Sequence, residues 1–164
     1  MDYRIIEKEA FSVVGKALRV SMKDGEQFRL IPQFWTECLA NGAVARLTSL
    51  AAGVLLPAHS ALGICTDFSP EKDQFTYLIA AEKPSGEIDS DLVEKTIPAA
   101  TWAVFDAVGE LPESIQTVWK RIWPEFFGVT DYKHADGPEL ELYPKYDDTM
   151  ESYRCEVWIP VEKK

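Results

Sequence analysis

The segment "LPESIQTVWKRIWPEFFG", residues 111–128, carries the clearest structural pattern in the chain. Pro112 and Glu113 are typical of the first turn of a helix, and Gly128 is typical of a helix end. Between them, apolar side chains recur at helical spacing: Ile115, Val118, Trp119, Ile122 and Phe126. The pattern predicts an amphipathic helix that packs one face against a core.

Extended segments flank this helix on both sides. "LVEKTIPAATWAVFDAVG" (92–109) precedes it, and "ELELYPKY" (139–146) and "YRCEVWIPVEK" (153–163) follow it, joined by the polar turn "DDTMES" (147–152). Segments rich in β-branched and aromatic residues that are separated by polar turns are typical of strands in a hairpin. The second half therefore predicts the order strand, helix, strand, strand.

The first half of the chain has the same order. An extended stretch at Arg4–Val20 comes first, and the two apolar runs "ALGICTDF" (61–68) and "DQFTYLIAAEK" (73–83) form a second predicted hairpin. Between this stretch and the hairpin, apolar residues at helical spacing predict a helix that ends near Asn41-Gly42; they are Ile31, Phe34, Trp35, Cys38 and Leu39.

We therefore predict an α+β fold built from a duplicated β-α-β-β unit with pseudo-two-fold symmetry. Antiparallel sheets would be backed by two main helices, in one domain that spans residues 1–164, with half-repeats at about 1–83 and 92–164. Two such halves usually leave a cleft where they meet, and this cleft is the predicted ligand site.

Charge and composition exclude several classes of function. The 164 residues include 27 acidic and 17 basic side chains, so the net charge of -10 makes direct nucleic-acid binding unexpected. The N-terminus lacks the pattern of a signal peptide, and the most apolar region is interrupted too often for a membrane span, so we expect a cytoplasmic protein. The three cysteines are odd in number and scattered, as expected of reduced thiols.

The sequence shows no motif for a metal or a cofactor, and we expect neither. His59 and His134 lack companions at a metal-ligand spacing. There is no Ser-His-Asp set, phosphate-binding glycine loop or dinucleotide fingerprint.

The last predicted strand carries a carboxylate on an aromatic face. Alternation along the strand places Glu156 and Trp158 on one side, which is either a solvated surface or the floor of a binding site. When the two halves are aligned, Tyr77 takes the position of Glu156. The alignment predicts that a tyrosine and a carboxylate face each other across the cleft.

The second half also resembles a known family, through "ATWAVFDAVG", "ESIQTVWKRIW", "LELYPK" and "EVWIPV" in that order. These motifs are similar to those of the GyrI-like small-molecule-binding domains, which also serve as effector-binding domains of AraC-type and MerR-type transcription regulators. The resemblance implies a cleft in which Glu156 neutralises a cationic lipophilic ligand, with Tyr77 in the same pocket. Some stand-alone relatives are similar to enzymes that hydrolyse cyclopropane-containing cytotoxins.

Other aromatic residues are candidates for the wall or rim of the cleft. Trp158 shares the side of Glu156, one of Trp102 and Phe105 should face the cleft, and Trp123 and Phe127 would form its rim. Trp35 and Trp119 lie on apolar helix stripes, where we interpret them as core residues.

Three functions follow as hypotheses. The leading one is a stand-alone domain that senses or sequesters lipophilic, cationic small molecules, with a separate protein partner needed for any role in transcription. The second is a hydrolase that detoxifies an electrophilic small molecule, with Glu156 and Tyr77 as catalytic residues. The third is a protein-interaction module of the gyrase-inhibitor type.

Overall fold

A computed structural model describes residues 1–146 and 151–164, so part of the predicted turn "DDTMES" lies outside the described residues. The strands are β1 (Arg4–Lys8), β2 (Phe11–Ser21), β3 (Ala61–Ser69), β4 (Gln74–Glu82), β5 (Val93–Ile97), β6 (Ala100–Val108), β7 (Tyr132–His134), β8 (Glu139–Tyr143) and β9 (Arg154–Lys163). The helices are α1 (Glu26–Ala40), α2 (Ala43–Leu50) and α3 (Glu113–Ile122), and α3 continues into a π-helical turn at Trp123–Phe127.

The strands form a large antiparallel sheet in the order β1-β6-β9-β8-β3-β4-β2-β5, and β7 pairs with the outer part of β9. The run β6-β9-β8 mirrors the run β2-β4-β3, and the two runs meet where β3 pairs with β8. This arrangement confirms the predicted α+β fold, including both hairpins and the helix in each half.

Local details differ from the prediction in three places. The extended stretch Arg4–Val20 is two strands rather than one, because β1 pairs with β6 whereas β2 pairs with β4. The region after Gly42 contains a further helix, α2, in addition to the two main helices predicted, and its buried Leu47 packs on the sheet. Helix α1 begins at Glu26, ahead of the predicted stripe that starts at Ile31, so Pro32 lies inside the helix.

The two faces of the sheet are covered differently. All three helices pack on one face, α1 and α2 over the first half and α3 over the second. The other face buries its own apolar cluster, which includes Trp102 and Trp158 with their ring centroids 5.9 Å apart. No helix among the described residues is long and apolar enough to cross a membrane.

Glu82, at the end of β4, holds the loop that follows α2. The residue is buried, and its carboxylate accepts hydrogen bonds from the backbone N–H groups of Val54 (3.0 Å), Leu55 (2.7 Å) and Leu56 (3.4 Å). A buried carboxylate is costly unless it is hydrogen-bonded, and three donors compensate this one. Glu82 therefore fixes the path of this loop across the end of the sheet.

We expect Glu82→Ala to lower the free energy of unfolding by about 2–3 kcal/mol, because three backbone N–H groups, including that of the buried Leu56, lose their charged acceptor. Urea denaturation would measure the loss, and the amides of residues 54–56 should exchange hydrogen faster. The control is Glu162→Ala, which removes an exposed ion pair with Lys133 (3.0 Å) and should cost less than about 0.5 kcal/mol. Equal losses in the two variants would contradict the role of Glu82.

Candidate functional site

A cleft of about 660 Å³ lies on the helical face of the sheet, between α1 and α3. One wall comes from α1 and the other from α3, and strands β4 and β8 supply the floor. The residues that matter most for its chemistry are Trp35, Tyr77, Trp119, Glu141 and Tyr143.

Strand register explains why a carboxylate of β8 reaches this cleft. Leu140 and Leu142 are buried in the cluster on the opposite face, so the alternate residue Glu141 points toward the helices. Glu141 lies across from Gly63 on one neighbouring strand and from Val157 on the other, and Val157 packs in the cluster beneath α3. Glu141 therefore stands at the junction of the two halves.

Gly63 makes the space that the site requires. A Cβ atom built on this residue would overlap with the hydroxyl oxygen of Tyr77 and would lie 3.0 Å from Oε1 of Glu141. Real Cβ atoms almost never approach other atoms so closely. The absence of a side chain at position 63 therefore allows Tyr77 and Glu141 to meet over the central strand pair.

Two tryptophans anchor this pair by hydrogen bonds. The indole N–H of Trp35 donates to the Tyr77 hydroxyl (2.8 Å), which in turn donates to Oε1 of Glu141 (3.3 Å). The indole N–H of Trp119 donates to Oε2 of Glu141 (3.0 Å). Each wall of the cleft is thus tied to its floor, and both indoles are held with their rings along the cavity.

The electrostatics of Glu141 distinguish it from the other carboxylates. Burial raises the pKa of Glu141 above its usual range, and hydrogen bonds from donors such as Trp119 only partly offset this effect. Its hydrogen-bond partners are neutral, and within residues 1–146 and 151–164 no Lys, Arg or His forms an ion pair with it. Glu141 therefore has no counter-charge in contact with it, although Lys145 and His59 also line the cleft.

Glu156 does not lie in this cleft, which corrects the predicted arrangement opposite Tyr77. It pairs with Leu142 in the sheet and so occupies the face opposite to Glu141. Oε1 of Glu156 is 2.7 Å from a guanidinium nitrogen of Arg4, and Oε2 accepts the indole N–H of Trp158 at 2.7 Å. Its charge is already neutralised within the protein.

The error has a simple geometric cause. Aligning Tyr77 with Glu156 shifted the two hairpins by one residue, and a shift of one residue moves a strand side chain to the other face. Tyr77 shares the helical face with Cys155 and Val157, the neighbours of Glu156.

The structure brings only Tyr77, among the predicted site residues, into the cleft. Trp158 and Trp102 are buried on the opposite face. Phe105 lies on the helical face but is buried beneath α3, with its ring centroid 5.2 Å from that of Phe126. Trp123 and Phe127 pack against each other at the end of α3, and Trp123 is 57% exposed.

Four functional candidates were missed or misassigned in the sequence: Trp35, Trp119, Glu141 and Tyr143. The apolar stripes correctly placed both tryptophans on the inward face of their helices. This face borders a cavity instead of a closed core, so the two side chains line the cleft. For Glu141 a signal was present. In "ELELYPKY" the two leucines alternate with acidic residues, which places the acids on one common face of the strand.

Nothing in the described parts of the chain resembles a metal centre, because no group of three His, Cys, Asp or Glu side chains is placed to hold an ion. His134 instead pairs with Glu139 at 2.8 Å, and hydrogen bonding to this carboxylate raises the pKa of the imidazole.

Comparisons with known proteins agree with this fold. The model of the GyrI-like small molecule binding domain matches residues 1–162. The structure of SAV2435 bound to tetraphenylphosphonium is 24% identical, with a TM-score of 0.82 over 99% of this chain and 94% of that one. A Staphylococcus aureus MU50 protein described as a bacterial transcription regulation protein is 25% identical, with a TM-score of 0.78 over 99% of both chains.

A more distant structure has the same fold. The C-terminal domain of EcmrR is 16% identical, with a TM-score of 0.56 over 99% of this chain and 98% of that one. EcmrR has also been solved in a complex with DNA. No curated protein sequence matches the chain.

Proposed function

Because this chain belongs to the GyrI-like small-molecule-binding domains, we propose that its cleft binds lipophilic cations, with Glu141 as the counter-charge. The observation that carries the proposal is the position of Glu141, on the floor of the cleft and bonded, within the described part of the chain, only to neutral donors. A carboxylate in such a place is destabilised by the loss of water, and a ligand cation would compensate it.

The walls suit the apolar part of such a ligand. Trp35 and Trp119 face the cavity from opposite helices, and Tyr143 packs edge-on against Trp35 with ring centroids 5.3 Å apart. Aromatic faces attract cations and stack on flat rings, and the attraction is stronger where water is excluded. The relative bound to tetraphenylphosphonium, a cation enclosed by aromatic rings, supports this choice of ligand class.

Titration with tetraphenylphosphonium tests the proposal. Trp35 and Trp119 line the cleft, so we expect bound ligand to change the intrinsic tryptophan fluorescence. Triphenylphosphine oxide serves as the matched neutral compound, and we expect it to bind at least about tenfold more weakly, a difference of ~1.4 kcal/mol. Equal affinity of the charged and neutral compounds would refute charge pairing in the cleft.

Hydrolysis of an electrophilic ligand is the second candidate, and the geometry of the same two residues favours it. Burial raises the pKa of Glu141, which makes the ionised carboxylate a better acceptor for a proton from an attacking water, and the Tyr77 hydroxyl lies 3.3 Å from it. Mass spectrometry of a cyclopropane-containing electrophile after incubation would reveal a water adduct. If the compound disappeared no faster with the protein than in buffer alone, hydrolysis would be refuted and binding would remain the proposed function.

A further inference from the structure

A second cavity, of about 860 Å³, adjoins the cleft. Ile31 of α1 and Trp119 of α3 line both cavities, so the two spaces share a wall built from these residues. The second cavity extends away from Tyr77 toward β5 and the loop before β8, where Lys95 and His134 line it. The two cavities therefore meet at Ile31 and the Trp119 indole.

Strand β8 provides a floor for both cavities. Glu139 lines the second cavity and Glu141 lines the cleft, and alternation along the strand places both side chains on the same face. Two residues of an extended strand span about 7 Å, which is therefore the approximate spacing of the two acids. They already interact, because the charge of Glu139 contributes to the raised pKa of Glu141.

The second cavity contains more acceptors than cations. Asp67, Asp136 and Glu139 line it together with Lys95 and His134. Lys95 pairs with Asp67 at 2.6 Å. Nε2 of His134 lies 2.8 Å from Oε1 of Glu139, and Nδ1 lies 2.6 Å from the backbone oxygen of Ala135. A carboxylate can accept up to about four hydrogen bonds, so Glu139 has capacity beyond this one contact.

Gln27 adds an uncharged acceptor to the same lining. Its side-chain oxygen is buried and has no hydrogen-bond partner among the residues that the structure describes. A buried acceptor without a donor is costly, so a donor group of a ligand in this cavity would be stabilised by Gln27 as well as by the acids.

We propose that the second cavity binds the hydrogen-bond-donating ammonium or amidinium group of an elongated dication, whose lipophilic cationic end occupies the cleft. The inference rests on the proposed function, because the first end of the ligand is the cation that pairs with Glu141. The second nitrogen lies near Glu139 and Gln27, and Trp119 packs against the chain between the two charges.

Two matched probes test this inference. Both are triphenylphosphonium ions with a tether of about five methylene groups, long enough for the roughly 7 Å between the acids, and only one tether ends in an amine. We expect the amine-bearing probe to bind at least about tenfold more tightly than the alkyl probe, and the ratio to fall to near one in Glu139→Gln. Glu162→Gln removes an exposed acid on β9 and should leave the ratio unchanged.

The outcomes separate the two proposals. Equal affinities of the two probes for the wild-type protein would overturn the dication site, while binding of the alkyl probe through Glu141 would still support the proposed function. A ratio that survives Glu139→Gln would also overturn the inference, since the amine would then bind elsewhere. Failure of the alkyl probe to bind at all would overturn both proposals.

Discussion

Glu141→Gln is expected to weaken tetraphenylphosphonium binding by about 10–100-fold, or ~1.4–2.8 kcal/mol. Glutamine has nearly the same shape and keeps an acceptor for the Trp119 N–H, so the variant removes the charge with little change in packing. The matched control is Glu156→Gln, which removes the carboxylate paired with Arg4 on the other face of the sheet. We expect the control to change affinity by less than about twofold, since its site is remote from the cleft.

The comparison of these two variants also decides between the two arrangements of the site. A large loss in Glu156→Gln with none in Glu141→Gln would support the carboxylate chosen from the sequence alignment and contradict the one chosen from the structure. Fluorescence titration and isothermal calorimetry would measure both variants under the same conditions, and circular dichroism would verify that each is folded.

The pH dependence of binding gives an independent signature of Glu141. Only the ionised carboxylate pairs with a cation, so affinity should fall as the pH is lowered through the pKa of Glu141, which burial raises above the usual value of about 4.3. In Glu141→Gln this pH dependence should disappear. If affinity fell only in the pH range where exposed carboxylates titrate, the raised pKa of Glu141 would be contradicted.

The same shift in pKa makes the stability of the ligand-free protein depend on pH. The dependence is opposite in sign to that of a salt-bridged acid, whose pKa is lowered. The folded state holds the Glu141 proton more tightly than the unfolded state, so stability falls as the pH rises from the unfolded pKa through the folded pKa. Above this interval Glu141→Gln should be more stable than the wild type, with a gain in melting temperature of about 2–4 °C per 1 kcal/mol. The gain should vanish below the unfolded pKa.

Gly63→Ala is expected to lower the free energy of unfolding by about 1–3 kcal/mol and to abolish most ligand binding. The added methyl group would overlap with the Tyr77 hydroxyl and press on Oε1 of Glu141. Because Tyr77 is buried and hydrogen-bonded to Trp35, its ring cannot move away without breaking that contact. Chemical denaturation and the tetraphenylphosphonium titration would measure the two effects.

A second substitution identifies the clash as the cause. Tyr77→Phe removes the oxygen that the new methyl group would strike, so the double variant Gly63→Ala/Tyr77→Phe should recover part of the stability lost in Gly63→Ala. By itself, Tyr77→Phe should be mildly destabilising, because the Trp35 N–H loses its acceptor. Strictly additive losses in the double variant would contradict a direct contact between these positions.

The main helices and strands and their order could be predicted from the sequence. The stripe Ile115, Val118 and Ile122 predicted α3, and alternating apolar residues predicted both hairpins, because helical and extended periodicities depend only on neighbours along the chain. Local periodicity also separated Glu139 and Glu141 from the leucines of β8. The family motifs of the second half can likewise be recognised from the sequence without knowledge of the fold.

The identity of the carboxylate in the cleft could not be predicted in this way and required the folded structure. Glu141 and Glu156 both alternate with apolar residues, so their local patterns are alike. The face on which each lies is set by the pairing of β8 with β3 and β9, because a register shift of one residue would move a side chain to the other face of the sheet. Arg4 neutralises Glu156, whereas the side chains that donate to Glu141, Trp119 and Tyr77, are uncharged. In each case the partner is distant from the acid along the chain. Strand register and the counter-charge of a buried acid are set by contacts between distant segments, and patterns within a single segment do not contain them.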